Sequence, residues 1–161
     1  EVIMKKFIQA VIIIIIVAVA LFLAYEYVLP SGPKNWVTSQ YQQMFDEAAR
    51  AKINSIKQAS PIAYPAYTYE DLFEKNTQYP VWLYDEASKT VTYTGSSLEL
   101  LHVGDEGKDK LYTGDDKLMA IFTFGDGGRV NLQLYIDGVV QEDADADQLM
   151  VGLVEKVTTG N

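Results

Sequence analysis

The amino-acid sequence predicts an α+β fold in which a long apolar N-terminal helix precedes a second, amphipathic helix packed on an antiparallel β-sheet. Three observations support this fold class. The first 30 residues contain a nearly uninterrupted apolar run, a stretch of helical periodicity follows, and the later part of the chain alternates between apolar and polar residues. The 161 residues are enough for roughly one domain of ordinary size.

The N-terminal apolar run covers residues 7–29 with only two polar interruptions. A helix of that length reaches about 35 Å, and a bilayer core is about 30 Å thick. We therefore predict that residues 1–30 form a transmembrane or filament-core helix that acts as a signal anchor, with Lys5 and Lys6 on the cytoplasmic side. The run exceeds the core of a cleaved signal peptide, the alternative explanation. The residues expected to pack in the membrane or filament are Val11, Ile12, Ile13, Ile14, Ile15, Ile16, Val17, Leu21, Phe22 and Leu23.

A Pro- and Gly-containing segment separates the apolar run from the rest of the chain. Pro30 and Pro33 disfavour continued helix, which predicts a hinge at residues 31–34 before an extracytoplasmic α+β domain at 35–161. Asn35 can cap a second helix over residues 36–59. The apolar residues of that helix recur at three- and four-residue spacing and predict a face that packs on the sheet: Val37, Tyr41, Met44, Phe45, Ala48, Ala49, Ile53 and Ile56.

The remaining elements follow a Tyr- and Pro-rich connection at residues 61–80, in which residues 70–75 are expected to form one helical turn. Alternation around turn residues then predicts two β-hairpins, and a last apolar run at residues 149–157 fits either a strand or a short helix. The predicted hairpins pair residues 81–84 with 90–94 and residues 117–124 with 129–136.

Charge and composition exclude several classes of function. The chain has a net charge of −9, and 13 of its 22 acidic residues lie between positions 95 and 161. Because nucleic-acid binding depends on Lys and Arg, we expect no nucleic-acid partner. The chain has no Cys and one His, so cysteine nucleophiles, thiolate metal sites and sites that need two imidazoles are excluded. We expect no enzymatic activity.

One acidic triplet has a spacing associated with metal binding. Asp143, Asp145 and Asp147 match the first three ligand positions of an EF-hand loop. Gln148 stands where the loop needs Gly, and Val154 stands where it needs the bidentate Glu. We therefore expect no cofactor and a solvated acidic turn, with a weak Ca²⁺ site as the alternative.

The order of elements resembles that of type IV pilins and pseudopilins, in which an apolar helix and an amphipathic helix precede an antiparallel sheet. Residues 82–94, WLYDEASKTVTYT, also resemble the Trp-x-Tyr-Asp-x-x-x-x-x-Val-x-Tyr hairpin of pilin-like proteins. Pilins carry Glu at the fifth mature position, where this chain has Lys5. Glu1 precedes Met4, so the chain either starts upstream or is processed as a prepilin is.

The resemblance implies a structural subunit of a cell-surface filament, whose apolar helix first anchors the monomer in the membrane and then joins the filament core. Its partners would be the membrane and further copies of the chain in a homopolymer. The alternative is a single-pass, membrane-anchored accessory subunit of an envelope or pilus-assembly complex, which contacts other envelope proteins. A membrane-tethered sensor or enzyme domain with a weak cation site at Asp143, Asp145 and Asp147 is a third hypothesis. In each case the C-terminal domain is expected outside the cytoplasm.

Overall fold

The computed structural model describes residues 31–103 and 110–160. The chain divides into two compact units, Glu1–Val37 and Thr38–Asn161, and the β-sheet belongs to the second. The helices are α1 (Ser31–Phe45), α2 (Glu47–Lys57), α3 (Tyr69–Glu74) and α4 (Asp143–Thr159). The strands are β1 (Gln78–Asp85), β2 (Thr90–Val103), β3 (Lys110–Phe124), β4 (Val130–Ile136) and β5 (Val139–Val140).

The fold class needs a correction at its N-terminal element. The described residues form an α+β fold with a five-stranded antiparallel sheet, but the first described helix is α1, and the long apolar helix is not among the elements. Among residues 31–103 and 110–160, no helix combines the length and the apolar character that a membrane crossing requires. The predicted apolar helix at residues 1–30 lies outside the described residues.

The second predicted helix is two helices. α1 begins at Ser31, so the residues predicted as a hinge form its first turn, where Pro33 is tolerated because the backbone N–H has no helical partner there. α2 begins after Asp46, whose extended backbone ends α1 and whose carboxylate accepts a hydrogen bond from the Ala49 N–H. A single capping residue therefore divides the periodic segment.

The sheet has the strand order β1-β2-β3-β4-β5, with every neighbouring pair antiparallel. Both predicted hairpins are confirmed, and β2 and β3 extend beyond the predicted segments. The β4–β5 turn is made by Asp137 and Gly138, which both have positive φ, as a tight two-residue hairpin requires. The final apolar run, predicted as a strand or a short helix, lies in α4, which ends at Gly160 in the left-handed conformation.

The core lies between one face of the sheet and helices α2, α3 and α4. Register places Trp82, Tyr93 and Ala120 side by side on the covered face, and all three are buried. Phe73 of α3 stacks against Trp82 and Tyr93 with ring centroids 6.2 and 5.1 Å apart. The largest fully buried side chains are Trp82, Tyr93, Phe73, Phe122, Ile53, Leu72, Leu98, Leu100, Leu118, Leu134, Leu149 and Leu153.

Candidate interaction surface

Five large apolar side chains of α1 are exposed to solvent: Trp36 and Val37 lie in its first half, and the other three lie in its second half. Tyr41, Met44 and Phe45 are 59%, 58% and 72% exposed, and their spacing of three and four residues places them on one helix face. The rings of Tyr41 and Phe45 contact each other with centroids 5.7 Å apart. We call these three residues the α1 stripe. Adjacent exposed apolar side chains of this size mark surfaces that contact other molecules.

The polar side of α1 faces the sheet. The Gln42 amide donates to the Tyr84 carbonyl at 2.7 Å and accepts from the Tyr84 N–H at 2.9 Å, so it bonds the outer edge of β1 as a neighbouring strand would. Ser39, one turn earlier, is 1% exposed and accepts a hydrogen bond from Gln43. A surface helix ordinarily covers a core with its apolar face. In α1 the polar face contacts the edge of the sheet instead, and the α1 stripe therefore faces the solvent.

The charge of α1 differs from that of the rest of the chain. Its sequence, SGPKNWVTSQYQQMF, contains no acidic residue and one basic residue, Lys34, although the whole chain has a net charge of −9. Two copies that approach through most surfaces would bring acidic groups together, which is unfavourable. Within α1 the polar side chains beside the stripe are neutral, and Asp46, Glu47 and Arg50 follow it directly in the sequence. This face therefore combines apolar contact area with little electrostatic repulsion between copies.

Ion pairs and a hydrogen bond connect α2, α3 and β1. Lys57 of α2 forms ion pairs with Glu70 and Glu74 of α3 at 2.6 and 3.0 Å. Glu74 also accepts a hydrogen bond from the Trp82 indole of β1. Burial disfavours the charged form of Lys57, but the hydrogen bonds that it donates to the two glutamates, together with their negative charges, outweigh this effect and raise the pKa of Lys57. These contacts tie α2, α3 and β1 together.

A buried hydroxyl pair lies deeper in the same unit. The Tyr93 and Thr77 hydroxyls share a hydrogen bond, and the Thr77 hydroxyl also donates to the Phe73 carbonyl. Burial raises the pKa of Tyr93 above its ordinary value. Gly95 packs directly against this pair, because a Cβ at position 95 would lie 2.1 Å from the Thr77 hydroxyl oxygen. The pair joins the end of α3 to β2 and has the surroundings of a packed core.

The sequence-predicted membrane and filament residues lie outside the described part of the chain. These residues are Lys5 and Lys6 together with Val11, Ile12, Ile13, Ile14, Ile15, Ile16, Val17, Leu21, Phe22 and Leu23.

The acidic triplet lies in the first turns of α4 and not in a turn or a metal-binding loop. Asp143 and Asp147 are four residues apart and lie on one side of the helix, whereas Asp145 lies about 200° around it. Within residues 31–103 and 110–160, no group of three or more His, Asp or Glu side chains is arranged to hold a metal ion. The segment that was predicted to be a solvated acidic turn is therefore the first part of α4.

Sequence reasoning misplaced the apolar face of α1. Of the eight residues predicted to pack on the sheet, three are buried, Ala49, Ile53 and Ile56 of α2. The other five are exposed: Val37, Tyr41, Met44, Phe45 and Ala48. The signal that separates the α1 residues from the buried α2 residues is Asp46, a favoured N-cap residue in the middle of the periodic run. The role of Gln42 has no comparable signal, because pairing between a side-chain amide and a strand edge has no spacing rule.

Comparison with known proteins assigns no family. No protein-family model matches the chain, and no curated protein or solved structure matches it.

Proposed function

We propose that this chain is a non-enzymatic, pilin-like structural subunit that assembles with further copies of itself at the cell surface. The observation that carries the proposal is the α1 stripe, where Tyr41, Met44 and Phe45 are more than half exposed. A second copy of the chain is the occupant proposed for this surface. The absence of acidic residues from α1 in a strongly acidic chain supports that choice.

The apolar N-terminal segment of the sequence is the second observation that supports the proposal. Residues 7–29 are almost entirely apolar and adjoin α1, and Lys5 and Lys6 precede them. We propose that this apolar segment holds the monomer in the membrane before assembly, with the lysines on the cytoplasmic side. The acidic α+β domain would then lie outside the cytoplasm, and the α1 stripe would be the part of that domain closest in sequence to the membrane.

A membrane-anchored accessory subunit of an envelope or pilus-assembly complex is the second candidate. Lys5 and Lys6 favour it, because burying unpaired charge in an apolar filament core costs several kcal/mol. Lys5 also occupies the position where pilins carry Glu. In this function the α1 stripe would contact a different protein, and the apolar segment would stay in lipid.

Electron microscopy of the sheared surface fraction of expressing cells distinguishes the two candidates. The filament proposal predicts filaments that contain this chain, and mass spectrometry of them gives the N-terminal residue. Recovery of the chain only from detergent-solubilised membranes, with no filaments, would contradict the filament proposal and favour the accessory subunit.

A pair of matched variants tests the role of the α1 stripe in the same experiment. Tyr41→Ser combined with Phe45→Ser removes both aromatic side chains of the α1 stripe, and we expect loss of filaments with an intact fold. Ile62→Ser is the control, because Ile62 is fully exposed and lies in the connection between α2 and α3. Filaments that persist in the double variant would exclude the stripe as the contact.

A further inference from the structure

The two edges of the β-sheet differ in how they are covered. The outer edge of β1 receives the Gln42 amide at Tyr84. The outer edge of β4 is paired with the two-residue strand β5, which reaches only Tyr135 and Ile136. An uncovered strand edge presents backbone donors and acceptors to any extended chain that approaches it.

Hydrogen bonds around β4 show which backbone groups point outward. The Leu134 carbonyl accepts from the Gln141 N–H on the β5 side, while the Asp137 N–H donates to the Lys117 carbonyl on the β3 side. Because successive residues of a strand direct their backbone groups to alternate sides, Val130 and Leu132 point outward as Leu134 does. Within the described residues, no hydrogen bond reaches the N–H groups of these three residues or the carbonyls of Val130 and Leu132.

A groove runs along this open edge. Its volume is about 520 Å³, and it lies between β4 and the start of α4. The small side chains of Ala144 and Ala146 line the helix side, and the half-buried Leu132 lines the strand side. Leu132 and Ala146 also pack against the hydrophobic core. An apolar side chain placed here would extend that core, in addition to the backbone pairing along the strand.

The charge of the groove indicates which kind of segment can bind there. Glu142 and Asp143 line it, and no basic residue does. A second copy of β4 would bring the same two carboxylates to the contact, which disfavours pairing between identical edges. A segment with basic side chains would be attracted instead.

We propose that the open edge of β4 binds an extended segment of a partner protein in which apolar and basic residues alternate. The segment forms a further strand of the sheet, with its backbone bonded to Val130, Leu132 and Leu134. Since side chains alternate along a strand, every second residue faces the groove beside Leu132. The basic side chains between those residues are attracted by the exposed carboxylates of Glu142 and Asp143 at the end nearest α4. This surface is separate from the α1 stripe, so its occupation does not depend on the function proposed above.

The test uses the isotopically labelled full chain and a synthetic five-residue peptide of alternating lysine and valine. Hydrogen exchange of individual amides is measured by NMR with and without the peptide. We expect the Leu132 and Leu134 amides to exchange at least tenfold more slowly when the peptide is bound. The same peptide methylated on the backbone nitrogens that would face β4 should give no protection, because it cannot pair with a strand edge.

Two variants separate the backbone and charge contributions. Val130→Pro removes one outward N–H and leaves the β3 side of the strand intact, and we expect peptide binding to weaken severalfold. Glu142→Gln should also weaken binding severalfold, whereas Glu86→Gln, an exposed acidic residue after β1, should leave it unchanged. Glu142→Gln keeps the test decisive if the proline variant fails to fold.

Three results would overturn the proposal. Absence of peptide-dependent protection at Leu132 and Leu134 would exclude strand pairing at this edge. Equal binding of a peptide of alternating glutamate and valine would exclude charge selection. Protection that rises with protein concentration in the absence of peptide would assign the edge to a second copy of the chain.

Discussion

Helices α1 and α2 are separated by the single residue Asp46, yet their apolar side chains lie in opposite environments. Ile53 and Ile56 of α2 are 0% and 2% exposed beneath the sheet, whereas Phe45 of α1 is 72% exposed. Both helices have apolar residues at helical spacing, and a single amphipathic helix would place them all on one face. The comparison shows that periodicity identifies an apolar face but does not identify what covers it.

The two helices differ because α2 packs on the face of the sheet, whereas α1 contacts its edge. α2 packs apolar side chains on β1 and β2, while α1 bonds the edge of β1 through the Gln42 amide. An edge contact needs hydrogen-bonding groups, so the polar face of α1 turns inward and its apolar face turns outward. α2 therefore contributes to the stability of the domain, and the α1 stripe is the surface that we propose for contact with another molecule.

The largest expected effect compares one residue from each helix. Ile53→Ala leaves a cavity in a fully buried site and should lower the free energy of unfolding by about 2–5 kcal/mol. Met44→Ala removes a side chain that is 58% exposed and should change it by less than about 0.5 kcal/mol. Urea unfolding of both variants measures the two values. Equal losses would contradict the contrast between the helices.

The second prediction concerns the contact that orients α1. Gln42→Ala removes both hydrogen bonds to Tyr84 and should lower the free energy of unfolding by about 1–2 kcal/mol. Amide exchange at Tyr84 should become faster in the same variant, because its N–H loses its acceptor. Gln40→Ala, in the same helix, is the control and should change neither quantity. An unaltered Tyr84 exchange rate in Gln42→Ala would show that the amide does not hold this edge.

The third prediction concerns the pH dependence of stability that results from Tyr93, a buried residue of the core to which α2 contributes. Burial raises the pKa of Tyr93 in the folded state, and an unfolded tyrosine has a pKa of about 10. The unfolded chain therefore loses this proton first, so stability is fully present below pH 10 and falls above it by up to about 1.4 kcal/mol per pH unit. Unfolding measured from pH 8 to 11.5 tests this, and Tyr93→Phe should reduce the slope. Tyr69 and Tyr112, whose pKa values burial also raises, contribute with the same sign.

The smallest expected effect lies at the junction of the two helices. Asp46→Ala removes the acceptor for the Ala49 N–H and should lower the free energy of unfolding by about 1 kcal/mol. Asp46→Asn keeps an acceptor and should retain most of the stability. Thermal unfolding of the pair measures the difference. If Asp46→Ala and Asp46→Asn were equally stable, the cap would not define the start of α2.

Much of the sheet domain was predictable because its signals are local. The alternation at residues 130–136 and the turn residues before it were sufficient to predict the β3–β4 hairpin, and the short helix α3 lies where one helical turn was expected. The Asp143 to Asp147 segment was ambiguous, because acidic residues suit both a solvated turn and the first turn of a helix, where the helix dipole favours them. Its assignment to α4 depends on Leu149 and Leu153, which pack in the core.

The candidate surface was less predictable because it depends on tertiary contacts. The outward orientation of the α1 stripe follows from the pairing of Gln42 with Tyr84, which are 42 residues apart. The open edge of β4 follows from the shortness of β5, which the Val139-Val140 pair alone does not indicate. Neither contact has a recurring sequence pattern, so neither could be derived from composition or periodicity.

Disulfide trapping between copies tests the central claim most directly, because the chain contains no cysteine and one introduced cysteine has no partner within its own molecule. Met44→Cys lies in the α1 stripe, and Ile62→Cys is an exposed control outside it. Oxidation of the two variants in expressing cells should give covalent dimers for Met44→Cys and few for Ile62→Cys. Equal yields from the two variants, or no dimer from Met44→Cys, would contradict assembly through α1.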